Sequence, residues 1–90
     1  MRFYRKPGEM RISDIVHVTG RGYVFLGIPD TGEEFHSGDT VVIRGRSVQY
    51  EVSAVERLTW MKTIGIILRP NQEAAKQICI GDDIILSEQA

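Results

Sequence analysis

The segment Val48-Gln49-Tyr50-Glu51-Val52-Ser53-Ala54 decides the fold class. Its apolar residues alternate with polar ones, which is the period of a strand with one buried face. Thr40-Val-Val-Ile-Arg44 precedes it across only Gly45-Arg46-Ser47, so the two segments predict a β-hairpin. Working outward, apolar runs bounded by glycine predict six strands, over about 11–18, 22–28, 40–45, 48–56, 63–69 and 83–87. Eight valines and eleven isoleucines, against four leucines and four alanines, favour strands. Branching at Cβ suits a pleated sheet better than a helix. Gln72-Glu-Ala-Ala-Lys-Gln77 alone lines up helix formers, enough for one or two turns near 72–77.

Tyr23 to Ile28 and Ile64 to Leu68 are apolar on both faces. Such strands fit a closed barrel packed against something else, or the lips of one that binds a partner. An internal echo supports short strands entered by tight turns. Phe35-His-Ser-Gly38-Asp39-Thr-Val-Val-Ile43 and Ile78-Cys-Ile-Gly81-Asp82-Asp-Ile-Ile-Leu86 share an apolar residue, two further residues, Gly-Asp, one residue and three apolars. Glycine there accepts a positive φ and the aspartate can bond backbone amides. The expected fold is therefore all-β, a small closed six-stranded barrel. Tyr50, Val52, Ile64, Ile66, Leu68, Ile84 and Leu86 should point into its interior.

Composition narrows the classes. Ninety residues, 42% hydrophobic and 26% charged, suit one globular core. A net charge of −1 with that hydrophobic fraction does not suit disorder. No apolar run is long enough to span a bilayer as a helix, so no membrane association is expected. Met1 to Gly8 has early cations without the apolar stretch of a secretory signal. A lone Cys79 allows no internal disulfide and fits a cytoplasmic protein, its expected place being a buried structural one beside surface histidines. Eleven basic against twelve acidic residues argue against a general nucleic-acid binder. Local basic patches remain at Arg2, Arg5, Lys6 and Arg11 and at the Arg44-Gly45-Arg46 tip.

The signatures of common chemistries are missing. There is no Gly-x4-Gly-Lys-Ser/Thr loop for nucleotide phosphates, and Gly20-Arg-Gly22 lacks the third glycine and following helix of a dinucleotide fingerprint. Cys79, His17 and His36 have no metal-ligand spacing, and the adjacent Asp82 and Asp83 suit a turn better than an acid/base pair. The expectation is a protein that is not an enzyme, carries no cofactor or metal, and neither binds nor hydrolyses GTP.

From Ile12 to Leu86 the chain resembles the second domain of elongation factor Tu, the β-barrel shared by translational GTPases. The resemblance is carried by Ile12-Ser-Asp14-Ile-Val-His-Val-Thr-Gly20-Arg21-Gly22-Tyr-Val-Phe-Leu-Gly27, similar to the family's strand, Ser-Gly-Arg-Gly turn and second strand. Phe35 to Ile43, Ile64-Gly65-Ile-Ile-Leu68-Arg69 and Ile80-Gly-Asp82-Asp-Ile-Ile continue it in the family's order. The resemblance implies residues 1–10 as an N-terminal arm and 11–88 as the barrel. It also implies a stand-alone domain, since the family's GTPase domain precedes the barrel and only about ten residues do so here.

The family's barrel holds the aminoacyl end of transfer RNA and touches the small ribosomal subunit. Carried over by position, Asp14 and Arg21 match the family. Its pocket aromatic falls at Val16, its acid at the terminal adenosine near Lys62, the small pair ahead of that acid at or beside Trp60-Met61, and a turn arginine at Ile28. The resemblance thus keeps the shell while most transfer-RNA contacts are replaced.

Two groups of residues are candidates for binding. Arg57, Trp60, Met61 and Lys62 form one, because Trp, Met and Arg are enriched at interface centres. Trp60 reads equally well as a lid over an open barrel end. The other comprises Asp14, Gly20, Arg21, Gly22, Arg44 and Arg46, as contacts to RNA or another anion. For Gly20-Arg21-Gly22 the alternative is a plain reverse turn with a solvated arginine. The leading expectation is a non-enzymatic binding module with another protein as partner, an adaptor or a bacterial immunity protein that imitates a translation factor. The rival is an RNA- or ribosome-associated module.

Overall fold

The computed structural model describes residues 7–30, 32, 34–57 and 62–87. Within them the chain forms β1 (Glu9–Val18), β2 (Gly22–Pro29), β3 (Thr40–Ile43), β4 (Gln49–Arg57), β5 (Ile64–Arg69), α1 (Asn71–Gln77) and β6 (Asp83–Leu86). All neighbours are antiparallel and the sheet closes in the order β1-β2-β5-β4-β3-β6. The six expected strands are the six observed. β1 begins at Glu9, inside the segment assigned to the N-terminal arm, because Glu9 and Met10 pair with Ile85 and Ile84.

The two halves of the internal echo fold into the same turn. In each, glycine sits at a positive φ, +94° at Gly38 and +98° at Gly81. Asp39 accepts from the His36 N–H at 2.7 Å, and Asp82 accepts from the Cys79 N–H at 2.8 Å. The backbone closes identically, Asp39 N–H to His36 C=O and Asp82 N–H to Cys79 C=O, both 3.1 Å. Phe35 and Ile78, the apolar residues opening each motif, are both buried. Each turn thus anchors itself in the core and launches a four-residue strand, and those strands, β3 and β6, pair with each other.

Tyr50, Val52, Ile64, Ile66, Leu68 and Ile84 are buried in one cluster with Met10, Ile12 and Phe25. Leu86, on the same face of β6 as Ile84, is half-buried and packs against that cluster. The alternation expected from Val48 to Ala54 holds only in its centre. Val48 lies before β4 and is 54% exposed. The β4–β5 register shifts between Val52 and Ala54, so Val55 packs on the core where strict alternation would put Ala54. Cys79 is exposed, contrary to the buried site expected for it, because it lies in the hydrogen-bonded turn outside the barrel.

The outer face of β5 is covered by the chain itself. Gly65 leaves a gap there, and the side chains of Val24 and Leu26 lean over it; a Cβ at Gly65 would lie 2.7 Å from Val24 Cγ1. Arg21, ahead of β2, forms an ion pair with Glu56 on β4, so its side chain crosses over the intervening β5. This explains why five consecutive residues, Ile64 to Leu68, are all buried.

The barrel is closed by β6, paired over only three residues to each neighbour. Asp83 staples this seam. It accepts from Arg11 Nε on β1 and from Arg44 Nε after β3, both at 3.1 Å, and Arg44 also reaches Glu9. The hydrogen bond from Arg11, with a further one from Arg44, holds the Asp83 carboxyl below the usual carboxylate range, against the opposing effect of desolvation. A carboxylate depressed on folding stabilises the native state above its unfolded pKa, and that contribution is lost as the pH falls through the folded value. The melting temperature is therefore expected to fall on acidification below about pH 4. Asp83→Asn should flatten that part of the profile. Parallel profiles for the two proteins would show that the staple contributes nothing.

Candidate functional site

The turns that carry Arg21, Arg44 and Arg46 lie at the end of the barrel opposite to Arg57 and Lys62, with Asp14 between them on β1. β2 and β4 finish, and β5 begins, at the end where Arg57 and Lys62 flank the β4–β5 connection. Trp60 and Met61 lie outside the described residues. Beside Arg57 is a cleft of about 240 Å³ lined by Pro29, Asp30, Glu34, Phe35, Arg57 and Ile64. Its floor is apolar, since Phe35 and Ile64 are buried core residues exposed only at their edges. Its rim is charged: Arg57 Nη2 lies 3.2 Å from Glu34 Oε2, and Glu34 lies 3.8 Å from His36 Nε2. Asp30 shapes the wall by accepting from the N–H groups of Glu9 at 3.3 Å and Gly32 at 2.9 Å. An apolar floor with a charged rim suits a protein side chain better than a string of phosphates.

The opposite end carries the β1–β2 turn, the β3–β4 turn and α1. Gly20, at φ +82°, closes a turn in which the Arg21 N–H donates to Val18 C=O at 2.9 Å. Gly22 has a packing reason of its own: a Cβ there would collide with the carboxamide of Asn71. That carboxamide accepts from the Tyr23 N–H at 2.8 Å and donates to the Tyr23 C=O at 2.9 Å, tying β2 to the start of α1. Asp14 sits on β1, where its Oδ1 accepts from the N–H of Ile15 at 2.8 Å.

The arginines of this group do not come together. Arg21 reaches Glu56 over the β2-β5-β4 wall, while Arg44 and Arg46 belong to the β1-β6-β3 wall opposite. Each is already paired, Arg44 with Asp83 and Glu9, and Arg46 with Asp82 at 3.5 Å. Every described arginine, Arg11, Arg57 and Arg69 included, has a carboxylate within ion-pair distance. Such pairs cancel the field that draws phosphates to a surface.

Sequence reasoning missed the cleft residues Pro29, Asp30, Glu34 and Phe35, and also a groove at the far end. There His17 and Tyr23, ring centroids 4.8 Å apart, meet Gln72, Ala75 and Lys76. The available signal was positional: His17 and Tyr23 flank the turn at the two feet of one hairpin and so had to face each other. Among the described residues no group of three or more His, Cys, Asp or Glu could hold a metal ion, and no helix is long and apolar enough to cross a membrane. Compared with models of known families and with curated proteins, the chain matches none.

Proposed function

We propose that this chain is a non-enzymatic binding module, similar to the second domain of elongation factor Tu, that engages another protein through the barrel end that carries Pro29, Asp30, Glu34, Phe35 and Arg57. The observation that carries the reading is the cleft beside Arg57, with an apolar floor and a charged rim. Arg57, of a residue type enriched at interface centres, lines it where β4 ends. The pairing of each described arginine with an acid favours a protein over RNA as the partner. An adaptor, or an immunity protein occupying a toxin by imitating a translation factor, fits this description.

Capture from native lysate, with and without ribonuclease, tests the reading. The captured partner is expected to survive ribonuclease and rising salt. Trp60→Ala should weaken capture by about 2 kcal/mol or more, as loss of a buried anchor does. Arg21→Ala and the combined Arg44→Ala, Arg46→Ala change should leave capture intact. The reverse ranking, with each lost arginine lowering the salt slope by about one, would assign the module to RNA. Melting curves of each variant separate lost binding from lost folding.

A further inference from the structure

β1 has ten residues and β6 four, and the two pair only from Glu9 to Arg11. Ile12 is covered by the neighbouring turn, donating to Asp82 C=O at 2.9 Å and accepting from the Gly81 N–H at 2.8 Å. Beyond it, among the described residues, residues 13–18 of β1 have β2 as their one strand neighbour. The ring is closed, yet half of this strand overhangs it with one edge that no described strand covers.

The direction of the uncovered groups follows from β2. Both backbone groups of Tyr23 bond to Asn71, so they point away from β1. Its register partner His17 is therefore in a non-hydrogen-bonded pair, and so, two residues back, is Ile15 opposite Phe25. The N–H and C=O groups of Ile15 and His17 must then point out of the open edge. The Ile15 N–H is met only locally, by the side chain of Asp14. Asn71 gives the overhang of β2 a substitute partner, and no strand among the described residues gives β1 one.

Uncovered edges template further pairing unless a charged side chain, proline, a bulge or a covering element blunts them; on β1 the bulge and Asp14 lie before Ile15, so the edge they leave runs from Ile15 to Val18. Ile15-Val16-His17-Val18 has neither lysine nor proline, and Val18 is 38% exposed. We propose that this edge pairs antiparallel with the same edge of a second copy, across a two-fold axis at Val16. That register sets each Ile15 opposite His17 of the other copy, so all outward backbone groups of both residues are used in four bonds. An axis at Ile15 or His17 would oppose one of them to its own copy and leave the other facing the bulge or the turn. Charge does not oppose this register: Asp14, the one carboxylate of residues 13–18, falls opposite Val18 and not opposite another Asp14, and a net charge of −1 gives little repulsion between copies. So short an edge belongs to the weak, concentration-dependent class of interfaces. This end of the barrel is not the cleft, and the proposal does not depend on the partner reading.

The test is sedimentation equilibrium of the full chain from about 10 µM to about 1 mM, a range that brackets weak association. The parent should pass from monomer toward dimer. Val16→Lys and Val16→Glu each set like charges face to face across the axis, and each alone should stay monomeric. Their equimolar mixture should dimerise again, since the charges then match. A parent that is monomeric throughout, or a mixture of folded variants that stays monomeric, overturns the proposal. Should either variant fail to fold, amide exchange in the parent decides. The His17 amide must slow as concentration rises, and exchange that is independent of concentration refutes the pairing.

Discussion

Gly27→Ala is expected to cost the barrel roughly 3 kcal/mol or more, at the upper end of overpacking changes, because backbone has to move. Gly27 pairs with Ile12 of β1 on one side and Ile64 of β5 on the other. A Cβ there would fall well inside contact distance of the Arg11 carbonyl oxygen and 2.8 Å from Met10 Cγ. Met10 could turn aside, but the Arg11 carbonyl belongs to the neighbouring strand and sits just before the register shift between Ile12 and Asp14. Relief therefore requires β1 and β2 to separate. Gly65→Ala is the contrast, since the added atom meets only the side-chain ends of Val24 and Leu26. Denaturant melts should rank Gly27→Ala far below Gly65→Ala, and equal midpoints would mean the two strands do not approach so closely.

Ile66→Ala is expected to cost about 2–5 kcal/mol, through lost transfer energy and the cavity left behind. Ile66 is fully buried in the middle of β5, paired with Phe25 on β2 and Val55 on β4, both of which pack in or against the core. Two of its closest neighbours are thus fixed in ladders, and the site cannot collapse to fill the space. Ile67→Ala, on the outer face under a thinner cover, should cost less. A melt of Ile66→Ala that stays within about 1 kcal/mol of the parent would place that side chain outside the interior.

The six strands, the hairpin and the short helix were legible in the sequence because each rests on local chemistry. Alternation over Tyr50 to Val52 fixes which side is buried, and the two Gly-Asp turns contain their own glycine and capping carboxylate within five residues. The Gly20-Arg21-Gly22 turn was legible for the same reason. The candidate site was legible only in part: Arg57 and Lys62 could be named from an apolar pair in a loop, while the cleft beside them could not. Its lining comes from β2, the following loop, β4 and β5, which only folding brings together.

What the sequence by itself determined, then, is the identity of each strand and turn, because a strand's buried face and a turn's φ are written in adjacent residues. Tertiary structure alone decided the bulges that turn Ile15 and Val55 toward the core, the acid each arginine meets, and the length by which β1 outruns β6. These depend on register between segments tens of residues apart. Register in a closed barrel is set by the fit of all six strands at once, which no single segment contains.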